Sequence, residues 1–318
     1  MKTFCNPLLA YGPDPYATFH DGWYYVMVTE HDRLAIRRTW DLTDLRNAER
    51  RVIGKAPFSD ECYQSIWAPE LHRIDGSWYV YFTGNTADDN DRNRRLFVME
   101  CLGPDPMQSE WRFAGRLKLP TDRYSIDATV LQDGERRYLI WSSKLTRSDG
   151  WYQHIMITPL ITPVSTGDFD VILSAPTMDW ERHDHPVNEG PQVLQRGNDI
   201  FVAFSASAYW TPNYAIGLLQ TRSGLDLMDI RNWKKHPQPF FQQSQRNGVY
   251  GCGHNSFIQS PDKTEWWNLY HARSSPGVEK DGDTRNPRLQ RIDFDSSGLP
   301  IFGEPLPIHH PIPKPSGT

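Results

Sequence analysis

Several features are scarce in this 318-residue chain, and each scarcity removes a class of protein. Only four cysteines occur, Cys5, Cys62, Cys101 and Cys252, far apart and without a C-x-x-C pair. That spacing argues against a disulfide framework or a thiolate metal cluster and predicts free, mostly buried thiols. No apolar run approaches the ~20 residues of a membrane-spanning helix, so no membrane partner is expected. Lys and Arg form no block, and the formal charge is −5. Nucleic acid, which calls for a clustered positive footprint, is therefore not an expected partner either. The N-terminus, Met1 to Pro7, lacks the apolar stretch of a secretory leader. This leans toward the cytoplasm, or toward secretion of a form whose leader has been removed.

Helical periodicity is also scarce, while aromatics are abundant: 12 Trp, 14 Tyr and 14 Phe. Short aromatic-rich or alternating runs bounded by Gly, Asp and Pro predict an all-β chain. Those runs repeat. Five segments, opening at Asp14, Trp67, Asp127, Glu189 and His254, share one layout of apolar run, tight turn and second aromatic-rich run. Asp21-Gly22, Asp75-Gly76 and Asp133-Gly134 occupy the turn of the first three, where positive φ angles are required. The openings lie 53, 60, 62 and 65 residues apart, each interval enough for a four-stranded antiparallel sheet. The expected fold is a five-bladed β-propeller over residues 1–306, followed by a loose Pro-rich tail over 307–318.

In a propeller the innermost strands run in one direction around a central channel. The five opening residues should therefore ring one channel mouth, and three of them are acidic. Close carboxylates repel and raise one another's pKa, a poor choice for a structural ring. Facing carboxyls can instead carry out glycoside hydrolysis, one protonated and the other ionised. A calcium site is the rival use. Trp67 is expected to wall the pocket and contact substrate, and Glu70 to sit at its rim.

More specific are Gly12-Pro13-Asp14-Pro15, Trp67-Ala68-Pro69-Glu70, Ser125-Ile126-Asp127-Ala128, Asn188-Glu189-Gly190-Pro191, Gly253-His254-Asn255-Ser256 and Arg285-Asn286-Pro287-Arg288-Leu289-Gln290. In this order on a propeller repeat, they resemble glycoside hydrolase family 43, five-bladed enzymes acting on arabinose- and xylose-containing polysaccharides. The resemblance implies an inverting mechanism with Asp14 as general base, Glu189 as general acid and Asp127 as the residue that orients the acid and tunes its pKa. It implies that His254 holds an axial water or cation, with calcium or sodium as a structural ion and no cofactor for the chemistry. Arg285, or its neighbour Arg288, would contact the sugar and the acid-tuning Asp127. An exo-acting α-L-arabinofuranosidase is the expected activity, with an oligo- or polysaccharide as partner. A β-D-xylosidase or an endo-arabinanase is the alternative within the family. A non-catalytic carbohydrate-binding propeller is the alternative outside it, and would be expected to lack one of the carboxylates.

Overall fold

Tight turns set the sheet registers of the computed structural model, which describes residues 2–147, 150–277 and 283–318. In blade I, Asp21 and Gly22 both take positive φ between paired His20 and Trp23, as a type I′ hairpin requires. Asp75-Gly76 repeats this in blade II. Blade III departs from the expected turn. Asp133 is already paired with Arg136, and Gly134 alone takes positive φ at the first central position, the type II′ pattern.

Five antiparallel sheets result. Their innermost strands are Tyr16–His20, Gln64–Ile74, Ser125–Asp133, Asn188–Arg196 and Tyr250–Gln259. Each sheet runs outward in sequence order through four strands, except that blade III splits its outer edge into two short strands, Ser165–Thr166 and Val171–Ser174. Both faces of every blade are covered, so the core consists of five wedges between neighbouring blades. Trp78, Phe82 and Phe97 pack with Met27 and Leu34 between blades I and II, for example. Phe241 and Tyr270 fill the wedge between IV and V. Much of the aromatic abundance is spent on these wedges.

The chain ends close the ring. Thr3–Phe4 pairs antiparallel with Ile312–Pro313. The Asn6 side chain clamps Leu289, accepting from its N–H at 2.8 Å and donating to its carbonyl at 3.1 Å. The tail is therefore not loose as expected. Ile312 is buried, Lys314 pairs with the Asp41 carboxylate, and the Ser316 N–H donates to Glu265 at 2.9 Å. Backbone pairing and an apolar anchor outweigh its proline content.

Candidate active site

Each innermost strand has a left-handed residue at the mouth: Asp14 (φ 54), Ala68 (φ 43), Asp127 (φ 56), Gly190 (φ 55) and His254 (φ 43), with a second one earlier in blades II and V, Ser65 (φ 55) and Gly251 (φ 59). Register shifts mark a bulge at this point in blades II to V. The structural repeat therefore differs by one residue from the sequence layout in two blades, where Trp67 and Glu189 stand just before the left-handed position. Glu189 consequently leaves its strand from a different position than the two aspartates do. Gly190 is needed there because a Cβ would come within 3.1 Å of the His254 ring.

All five opening residues, Asp14, Trp67, Asp127, Glu189 and His254, line one cavity of about 430 Å³, within the range of small-molecule sites. Every blade contributes to its wall.

Asp14 is held by positive and hydroxyl partners. Its Oδ2 accepts from Thr29 Oγ1 at 2.7 Å and its Oδ1 from Arg285 Nη1 at 2.9 Å. His254 Nδ1 and His271 Nδ1 lie 3.3 and 3.4 Å from the same Oδ1. Burial alone would raise its pKa, but the Arg285 guanidinium and then the two histidines hold this carboxyl well below the usual range.

Among the described residues, Glu189 has no cation in direct contact. Tyr214 Oη donates to its Oε1 at 2.9 Å and Gln153 Nε2 to its Oε2 at 2.8 Å. Burial dominates, and with the Asp14 charge it outweighs both donors and the more distant Arg285, so the pKa is pushed up to about 7. Asp127 accepts from the Gly190 N–H at 3.0 Å. Burial, then the charges of Glu189 and Asp14, drive it well above its ordinary value too. These two carboxyls resist simultaneous ionisation.

The remaining expected residues separate. Arg285 reaches the site, with its guanidinium 4.4 Å from the Tyr209 ring centroid, and Asp283 accepts from its Nε at 2.8 Å. Within the cavity its carboxylate contacts are Asp283 and Asp14, and not Asp127 as expected. Arg288 is fully buried, bonds Asn286 Oδ1 and Ser274 Oγ at 2.9 Å each, and does not line the cavity. Arg288 lies within the strand Asn286–Phe294, whereas Arg285 precedes it. Glu70 is not at the rim. Its side chain points into the channel, buried, with His72 Nε2 at 2.8 Å and Gln192 as a second partner. Trp67 lines the cavity, backed by the Arg94 guanidinium 3.7 Å from its ring.

Among the described residues, no three His, Cys, Asp or Glu side chains converge as a metal set. Sequence reasoning missed Thr29, Gln153, Tyr214 and His271. They sit outside the innermost strands, away from the opening positions of the repeat, so no motif marks them.

A model of glycosyl hydrolases family 43 matches residues 4–300. The extracellular exo-α-(1→5)-L-arabinofuranosidase of Streptomyces avermitilis is 35% identical over 310 residues, covering 96% of this chain and 64% of that protein. The chain thus spans just under two thirds of that relative's length. The enzyme of the same name from Streptomyces chartreusis is 37% identical over 271 residues, covering 84% of this chain and 82% of its own. Among solved structures, α-L-arabinofuranosidase from Lactobacillus brevis superposes with a TM-score of 0.89 at 34% identity, covering 96% of this chain and 98% of that one. The chain therefore belongs to glycosyl hydrolases family 43.

Proposed function

We propose that the chain is an inverting, exo-acting α-L-arabinofuranosidase that releases arabinose from arabinan or arabinoxylan-type chains. One observation carries the reading: a single pocket holds an ionised Asp14 and a proton-retaining Glu189, the two states that inverting hydrolysis needs. Asp14 takes a proton from the attacking water. Glu189 donates its proton to the leaving oxygen as the glycosidic bond breaks. Asp127 holds the Gly190 backbone beside Glu189 and disfavours loss of the acid's proton. Arg285 keeps Asp14 ionised and oriented.

The exo mode is supported by the names of two relatives, both exo-acting. The arabinose preference is supported by the relatives' names. The cytoplasmic leaning finds no support among them, since two are named extracellular. The test is a panel of 4-nitrophenyl glycosides. Release from the α-L-arabinofuranoside by the wild type, together with loss of arabinose release from an arabino-oligosaccharide in Glu189→Ala, is the expected result. Turnover of the β-D-xylopyranoside alone would overturn the sugar and keep the chemistry.

A further inference from the structure

The left-handed residues at the mouth share a second feature. In all five, the backbone N–H donates to a side chain of the preceding blade, and in four the acceptor comes from that blade's second strand or the residues just after it. Ala68 donates to Thr29 Oγ1 at 2.7 Å, Asp127 to Thr83 Oγ1 at 3.3 Å, and His254 to Ser205 Oγ at 2.7 Å. Where blade V meets blade I, the Asp14 N–H donates to His271 Nδ1 at 3.1 Å. At the fifth position Gly190 donates to Asp127 instead, and Ser142 Oγ turns to the Asn188 carbonyl at 2.8 Å. Three acceptors hold equivalent places in the second strand of their blades: Thr83 pairs with Trp67, Ser205 with Glu189 and His271 with Gly253; Thr29 stands two residues past the strand Trp23–Met27, where its N–H donates to the Pro13 carbonyl at 2.9 Å.

A hydroxyl suffices at three of these locks. The lock behind Asp14 alone uses an imidazole, and this ring does something a hydroxyl cannot. It lies parallel to the Tyr214 ring, with centroids 5.6 Å apart and planes 10° from each other. Tyr214 is the residue whose hydroxyl holds Glu189. The Asp14 N–H, which can only donate, is nearer to Nδ1 at 3.1 Å than the Asp14 Oδ1 is at 3.4 Å, so Nδ1 is assigned as the acceptor and the proton of the neutral ring to Nε2. Nε2 is buried without a partner, and the ring is fully buried. Burial, despite Asp14 nearby, keeps His271 neutral, with its pKa pushed down to about 3.

We infer that His271 is a positioning residue: as the neutral Nε2–H tautomer it fixes the backbone of Asp14, and through its face-to-face contact with Tyr214 it ties the placement of Asp14 to that of Glu189. The inference rests on the proposed roles of those two carboxyls. It leaves the reacting atoms untouched and sets where they stand.

Two variants separate positioning from mere packing. His271→Leu keeps bulk and loses the acceptor. His271→Asn places an amide oxygen near the position of Nδ1 and loses the ring. With 4-nitrophenyl α-L-arabinofuranoside, His271→Leu should lower kcat by about 10²-fold, the cost of a small misplacement of a reacting group, with KM within about threefold. His271→Asn should recover about a tenth or more of wild-type kcat, because the Asp14 N–H regains its acceptor. A leucine variant that turns over like wild type, or an asparagine variant no better than leucine, would overturn the inference.

A second readout needs neither substrate nor a folded leucine variant. In ¹⁵N spectra of imidazole-labelled wild type, the resonance absent from His271→Asn should show a neutral ring protonated on Nε2 that does not titrate between about pH 5 and 8. A proton on Nδ1, or titration in that window, would sink the proposal. A wild type inert on every glycoside would count against the proposed activity, while the spectra would still decide the state of His271.

Discussion

The two sides of the pocket mouth use the same functional group and treat it in opposite ways. On the blade V and I side, Asp14 meets a guanidinium, two imidazoles and a hydroxyl. On the blade III and IV side, the partners of Glu189 and Asp127 among the described residues are a phenol, an amide and a backbone N–H. All three carboxyls are removed from bulk water, so burial pushes each of them upward. The cation in direct contact separates them: where Arg285 touches the carboxylate the pKa lies well below the usual range, and where no described cation does it is raised. One pocket thus gives the same functional group two opposite environments, which the proposed base and acid roles require.

The largest expected effect comes from removing either half of the contrast. Asp14→Asn should lower kcat by a factor on the order of 10²–10⁴ on any substrate. Glu189→Gln should cost a similar factor on an arabino-oligosaccharide. Its loss on the 4-nitrophenyl glycoside should be much smaller, since nitrophenolate leaves without a proton. Equal losses on both substrates would show that Glu189 is not the proton donor.

Next in size is the loss of the cation. In Arg285→Met, Asp14 should titrate about 1–3 units higher, so the acid limb of kcat/KM moves to higher pH. An unchanged acid limb would show that Arg285 binds substrate without controlling the base.

Tyr214→Phe is gentler and acts on the other limb. The hydroxyl donates to the ionised form of Glu189, so removing it should raise the pKa and carry activity about one unit further into alkali. A shift to lower pH would reverse the reading of this bond. The smallest effect on catalysis is expected from deleting residues 307–318. The loss of the Thr3–Phe4 to Ile312–Pro313 pairing and the Lys314–Asp41 contact should lower Tm by several degrees while kcat stays within about twofold, because the tail does not reach the pocket.

The repeat made the propeller and the five mouth residues legible, because turn chemistry and strand length recur locally in each blade. The one-residue offset at Trp67 and Glu189 was not, although Ala68 and Gly190 occupy the left-handed slots. A bulge moves the register without leaving a composition signal, and Asp, His, Ala and Gly all fill it here. Glu70 was misplaced at the rim because nothing in Trp67-Ala68-Pro69-Glu70 tells a rim from a channel; it takes Gln192 from blade IV to close that bond. Arg285 and Arg288 were equivalent in sequence and are separated by where the strand begins. Gln153, Tyr214 and His271 act across blade boundaries, which no single segment encodes.

The account's central claim is that opposite surroundings hold the base ionised and the acid protonated in one pocket. The pH dependence of kcat/KM on an α-L-arabinofuranosyl oligosaccharide tests it most directly. Glu189 must carry its proton, so activity should fall as pH rises through about 7. Asp14 must be ionised, so the acid limb should lie well below the usual carboxylate range. An acid limb at the ordinary aspartate value near ~4, or activity that keeps rising above neutrality, would contradict it.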